Sequence, residues 1–238
     1  MSEKKVSFPH LGDYHCVIAF FASRILGLKV VKPPKMTKKT LEIGSKYSPD
    51  SVCVPFKYNI GNFIEILEKG ATVLLQAGGG CRFGYYPEVQ QQILKDLGYE
   101  FEFISIIPGD KINLFTIYKK LKEINPKLNI IKFTYYFYIS YKMMLIIEWA
   151  HAYINKNIGF ETEKNSFNNL FLKLLNELDN VKGVKEIHRI TKEYKKAIIN
   201  LDVKKHKDCM KVGIVGEIYI LLEQISNFNI ERKHAMKG

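Results

Sequence analysis

Residues 72–77, "TVLLQA", form a short and nearly unbroken apolar run set between Gly70 and the triplet Gly78, Gly79 and Gly80. Six residues are too few for an ordinary helix, and a strand that is apolar at consecutive positions has both of its faces covered. That demands a parallel sheet layered by helices. The flanking sequence keeps the same rhythm. Strands read at 5–9 ("KVSFP"), 28–34 ("LKVVKPP"), 50–55 ("DSVCVP") and 101–107 ("FEFISII"). Helices read at 13–27, at 37–46 behind the cap Thr37, at 56–69 with Phe63, Ile66 and Leu67 on one face before Gly70, and at 86–97 before Gly98. Residues 113–205 carry no strand pattern and read as helical, after which "KVGIVGEIYILLEQI" opens a new strand and helix. The expected fold class is therefore α/β. An open parallel sheet with flanking helices occupies 1–112, a helical region 113–209, and an incomplete second α/β unit starts at 210–238.

A chain of 238 residues with 47% hydrophobic and 25% charged residues can bury a sizeable core, and no segment is disordered by composition. The formal charge of +12 suits an anionic partner. Residues 182–211 hold ten Lys or Arg against four Asp or Glu, with apolar residues at Val184, Ile187, Tyr194, Ile198 and Leu201 at near-helical spacing. A solvated basic helix face over a buried stripe explains this segment better than a nucleic-acid surface does. The apolar run from Cys16 to Ala22 is short, follows an acidic residue and precedes no small-residue cleavage pattern, so no export is expected. Residues 129–154 are the most apolar region, but Lys132, Lys142 and Glu148 interrupt them, and they read as one or two buried helices with no membrane partner. A cytoplasmic, reducing location follows, in which Cys16, Cys53, Cys81 and Cys209 are free thiols or metal ligands and not disulfides.

The chemistry concentrates at two of those cysteines. "LLQAGGGCRFG" is strand, glycine turn and helix start, which sets Cys81 at the carboxyl edge of the sheet, where helix N-termini favour negative charge. "SVCVPFKYNIGN" sets Cys53 at the end of the preceding strand, on the same rim. Two thiols converging there suit one soft metal centre, and each alone also suits a small buried apolar position. The glycines match neither a dinucleotide-binding nor a nucleotide-phosphate loop, because Phe83 and Tyr85 stand where the patterns need Gly and Lys. No zinc-finger, thioredoxin-like or serine-hydrolase spacing occurs.

The run "SKYSPDSVCVPFKYNIGNFIEILEKGATVLLQAGGGCRFGYYPEVQQQILKDLGYEFEFI", with "SFPHLGDYH" before it and "KVGIVGEIY" after it, resembles the 2-hydroxyacyl-CoA dehydratase superfamily, in particular its activase-associated branch. The likeness is strong over 5–107 and moderate over 210–232. It implies an iron-sulfur cluster of the 4Fe-4S type, bound through cysteines between two α/β domains, and a role in anaerobic metabolism. In the dehydratases of that superfamily, an ATP-dependent activase delivers one electron to the cluster, which passes it to an acyl-CoA thioester and so permits loss of the hydroxyl group. Matched residue by residue, the resemblance assigns Cys53 and Cys81 as metal ligands. The same match implies that Gly78, Gly79 and Gly80 supply backbone amides to the cofactor, and it sets Lys57 and Arg82 beside the ligands, as cations that compensate the cluster's charge or as solvated or salt-bridged side chains.

The family is usually longer, and its second domain provides a further cysteine, so the chain reads as a truncated relative, as a split subunit whose site another chain completes, or as a product that no longer holds a cluster. Cys209 precedes the strand "KVGIVGE", at the end opposite the rim, and Cys16 lies in an apolar helical run; neither is expected to be a ligand. His10 and His15 flank the end of the first strand and read as structural, and Glu217 sits at a later strand end. Three roles stay open: an electron-transfer protein serving an activase or reductase, a subunit of a dehydratase acting on a 2-hydroxyacyl-CoA, and a non-catalytic interaction protein.

Overall fold

The computed structural model describes residues 3–77, 85–106, 114–204, 212–216, 218–223 and 225–236. The chain divides into two compact units, neither continuous in sequence: Met1–Leu11 with Phe21–Tyr136, and Gly12–Phe20 with Phe137–Gly238.

The first unit is built on a four-stranded sheet of β1 (Lys5–Ser7), β2 (Lys29–Val30), β3 (Val73–Gln76) and β4 (Glu102–Ser105), in the order β2-β1-β3-β4 and parallel throughout. Val6 pairs with Val30 on one side and Val73 on the other, and Leu74 pairs with Phe103. All four residues of β3 are buried, which is why its sequence does not alternate. The expected parallel α/β sheet is thus the fold. Three helices accompany it: α2 (Lys38–Tyr47), α3 (Val54–Glu68) and α4 (Tyr86–Asp96).

Local chemistry sets these helix ends. Thr37 caps α2 through a reciprocal pair in which its hydroxyl accepts from Thr40 N (3.2 Å) and its own backbone N–H donates to Thr40 Oγ1 (3.0 Å). Gly70 and Gly98, both at φ +84°, follow α3 and α4 in the left-handed region that glycine enters without steric cost. Packed between the strands and these helices is an apolar cluster of Phe56, Ile60, Phe63, Ile66, Leu74, Tyr86 and Leu94.

The strand expected at 50–55 is not formed. Residues 50–52 turn, Cys53 is the N-cap of α3, and Val54 and Pro55 are its first helical residues. Proline there costs no hydrogen bond, because first-turn N–H groups have no intrahelical acceptor in any case. With β1 and β3 already paired to each other, no slot remains between them for another strand. The strands at 5–9, 28–34 and 101–107 are shorter than expected, at three, two and four residues.

α3 is buried along nearly its whole length, and it meets α2 at a crossing of two glycines. A Cβ on Gly44 would stand 1.7 Å from Lys57 O, and one on Gly61 would stand 1.9 Å from Thr40 O. No side chain fits between these backbones. The unit also contains α5 (Leu114–Ile124) and the start of α6 (Ile130–Asn155).

The second unit is helical, with α1 (His15–Phe21) up to Phe20, α6 from Phe137 onward, α7 (Ser166–Leu178), α8 (Val184–Ile199), α9 (Ile218–Leu222) and α10 (Ile230–Ala235). Residues 129–154 thus fall almost wholly in one helix, whose Ile139, Met143, Ile147 and Ala150 are fully buried while Tyr141 and Leu145 are exposed. Within the basic segment α8 buries Ile187, Tyr194 and Ile198 of the expected stripe, together with Ile190, while Val184 and Leu201 are half-buried. The strand expected in "KVGIVG" is not formed by residues 212–216, and Ile218–Leu222 is a short helix.

Candidate functional site at the carboxyl edge of the sheet

In the order β2-β1-β3-β4 the chain leaves β1 for one side of the sheet and β3 for the other, so the β1/β3 boundary is the point where the winding reverses. Open α/β sheets bind ligands outside the carboxyl ends of the strands at such a point. Helices that connect parallel strands run against them, which brings the N-termini of α3 and α4 to that edge. The side chains confirm the geometry: Cys53 Sγ at the start of α3 lies 2.8 Å from the hydroxyl of Tyr86, the first residue of α4. The Tyr86 ring in turn stands edge-on to Phe56, 4.8 Å between centroids. Cys53 is exposed and does not cap α3 with its side chain, so the first-turn N–H groups receive no cap from it. Lys57 is half-buried one turn further on, and its N–H bonds to Cys53 O (3.4 Å).

Of the residues assigned from sequence, Cys53 and Lys57 are therefore at this edge. Gly78, Gly79, Gly80, Cys81 and Arg82 lie outside the described residues, as do Cys209 and Glu217. Gln76 and Tyr86, on either side of the glycine segment, both belong to the edge.

Two polar features beneath it had no clear sequence signal. The first is a buried network around Asn62, which is fully buried in α3. Its Oδ1 accepts the His10 N–H (2.8 Å), and its Nδ2 donates to Pro34 O (3.0 Å) and Glu65 Oε2 (3.2 Å). Thr40 Oγ1 lies 3.1 Å from both Glu65 oxygens. Asn62 thus ties the segment after β1 to the segment after β2, with three of its four hydrogen-bonding sites used, and Glu65 extends the network to α2. The second feature is a set of buried carboxamides that pair with nothing: both amide atoms of Gln76 and of Gln90, and Oδ1 of Asn59. Gln76 interrupts the apolar run of β3, which is the one hint in the sequence that this strand end is not simply core.

His15 and Cys16 belong to the second unit, in a separate cluster. Asp13 Oδ2 pairs with His151 Nε2 (3.1 Å), Tyr14 donates to Glu148 (2.5 Å), and His15 Nδ1 lies 3.2 Å from Gly12 O. Burial works against the charge of Asp13, but the hydrogen bond and charge of His151, with the charges of Arg232 and His15, hold its carboxyl below the ordinary value. Burial, aided by Asp179, pushes the Cys16 thiol up to about 12, and its Sγ donates to Asp13 O (3.7 Å). A thiol so placed is structural. Its neighbour Gly12 donates its N–H to Glu223 Oε2 (2.7 Å).

Among the described residues no group of three or more His, Cys, Asp or Glu is arranged to hold a metal ion, and no helix is long and apolar enough to cross a membrane. Comparison with protein-family models, with curated proteins and with solved structures finds no match to the chain.

Proposed function

We propose that this chain is an iron-sulfur protein related to the 2-hydroxyacyl-CoA dehydratases, acting in electron transfer with an ATP-dependent activase or reductase in the cytoplasm. The observation that carries the reading is Cys53, an exposed thiol at the N-terminus of α3, on the edge where β1 and β3 diverge. The donor chemistry fits. A thiolate is the ligand iron-sulfur centres take, and the α3 N-terminus favours the negative charge it carries. The unpaired amides of Gln76 and Gln90 are further groups able to meet such a cofactor. Cys53 and Cys81 would hold the cluster, of the 4Fe-4S type, which when bound supplies one-electron transfer. With Cys53 a thiolate, the Tyr86 hydroxyl, 2.8 Å from its sulfur, would be the donor and hold its direction. Lys57 and Arg82 would balance its charge, and Gly78, Gly79 and Gly80 would supply backbone amides to it. A further chain completes the ligand set. Resemblance to the activase-associated branch favours electron transfer over the binding of an acyl-CoA substrate.

The test is anaerobic reconstitution with iron and sulfide, followed by the absorption spectrum and iron and sulfide analysis. The wild-type chain should take up both, Cys53→Ser and Cys81→Ser should lose most of the iron, and Cys16→Ser should keep it. Iron at background in the wild type, or equal retention in all the variants, would refute the assignment.

A further inference from the structure

Gln76, Gln90 and Asn59 are 6%, 0% and 3% exposed. Buried carboxamides in folded proteins are nearly always hydrogen-bonded, since an unpaired one keeps the whole cost of leaving water. Here five carboxamide atoms in one unit are not.

Their positions show that they share a layer. Leu74 of β3 packs in the cluster with Phe56, Phe63 and Leu94, and side chains alternate along a strand, so Gln76, two residues on, faces the same way. On α4, Gln90 follows Tyr86 by four residues and precedes Leu94 by four, and both of these belong to that cluster. On α3, Asn59 stands three after Phe56 and four before Phe63, which belong to it too. All three amides thus lie between the sheet and the α3/α4 layer. Gln76, the last residue of β3, is at the edge where Cys53 meets Tyr86, and Gln90 lies one helical turn below Tyr86.

A core position of this kind ordinarily holds Leu or Ile. We propose that Gln76, backed by Gln90, is a hydrogen-bond donor to the sulfur-rich group held through Cys53, and that these positions are polar for that group and not for the fold. The proposal rests on the reading of Cys53 as a cluster ligand. An N–H directed at a cluster sulfur or its thiolate favours the more negative, reduced state and raises the reduction potential. Without the group the same amides are orphaned and weaken the protein.

Both halves can be measured in the full chain with Gln76→Leu, Gln76→Glu and Gln90→Leu. In the iron-free protein, Gln76→Leu and Gln90→Leu should raise the melting temperature, because each replaces two unpaired polar atoms with apolar volume. In the reconstituted protein, Gln76→Leu should lower the reduction potential and speed iron loss to a chelator. Gln76→Glu, of the same shape but with no N–H when ionised, should lower the potential at least as far, and Gln90→Leu less. A wild-type potential in reconstituted Gln76→Leu would overturn the donor role. So would a lower melting temperature in iron-free Gln76→Leu, which would mean that ordered water satisfies the amide. If the wild-type chain takes up no iron, the cluster reading itself fails, and the iron analysis shows this before any potential is measured.

Discussion

A single methyl group at Gly44 tests how closely α2 and α3 approach. Its Cβ would sit 1.7 Å from Lys57 O and 2.6 Å from the carbonyl carbon, whereas real Cβ atoms do not come within 3.0 Å. The helices must therefore separate by at least the difference, about 1.3 Å. The obstacle is backbone, so no rotamer change relieves it, and α3 is walled in by the sheet on its other side. Two effects oppose each other. Replacing a mid-helix glycine by alanine gains about 1 kcal/mol of helix propensity. Overpacking costs about 1–3 kcal/mol or more, and a gap of about 1 Å forfeits up to half of the dispersion energy across the interface. Separation also stretches the contact between Thr40 and Glu65, worth about 1 kcal/mol. The cost wins, with a net loss of about 3 kcal/mol and a melting temperature about 10 °C lower. Gly61→Ala should behave alike, and the double variant should lose less than the sum, because the first methyl has already opened the crossing. Gly70→Ala is the control. It meets nothing within 4 Å, so only its φ of +84° matters, a strain of about 1–2 kcal/mol. Thermal unfolding followed by circular dichroism reads all four. A Gly44→Ala protein more stable than the wild type, as propensity alone requires, would refute the close crossing.

In the second unit, acid should act through Asp13. Its carboxyl is held below its ordinary value of 3.8, so the stability it contributes is present above that value and is lost as the pH falls through the lower folded one. Asp13→Asn should flatten the fall in urea midpoint between pH 5 and strongly acidic solution, and an unchanged slope would refute the Asp13–His151 pairing as its source. Iodoacetamide should label Cys53 in the native protein at mildly alkaline pH and leave Cys16 untouched until urea is added. The reason is that Cys16 is 1% exposed with its thiol pushed up to about 12, whereas Cys53 is exposed. Peptide mass spectrometry distinguishes the two, and equal labelling in the native state would contradict the burial of Cys16.

The place of Cys53 was legible because it follows from local pattern. The apolar run at 72–77 implied a parallel sheet, and parallel strands oblige α3 and α4 to start at one edge, so Cys53 arrives there whether residues 50–52 are a strand or a turn. What escaped was the polar support. The bonds of Asn62 join the segments after β1 and after β2 to α3, with Glu65 passing the link on to Thr40 of α2, and no periodicity records such a junction. Gln76, Gln90 and Asn59 read individually as ordinary polar residues until the packing shows them enclosed in one layer.

By itself the sequence determined the elements whose causes lie within a few residues. Thr37 caps α2 through Thr40, Gly70 and Gly98 supply the left-handed turns after α3 and α4, and β3 is apolar on both faces. Tertiary structure alone decided what depends on partners far along the chain. It paired β1 directly with β3, with no strand from 50–55 between them, and Val54 and Pro55 open α3 instead. It set the backbone of Gly44 against that of Lys57 and left residues 212–216 without a strand. A cap or a left-handed turn is satisfied by atoms its own neighbours provide, whereas a strand and a glycine crossing exist only if another segment arrives to occupy the facing hydrogen bonds or the missing side-chain volume.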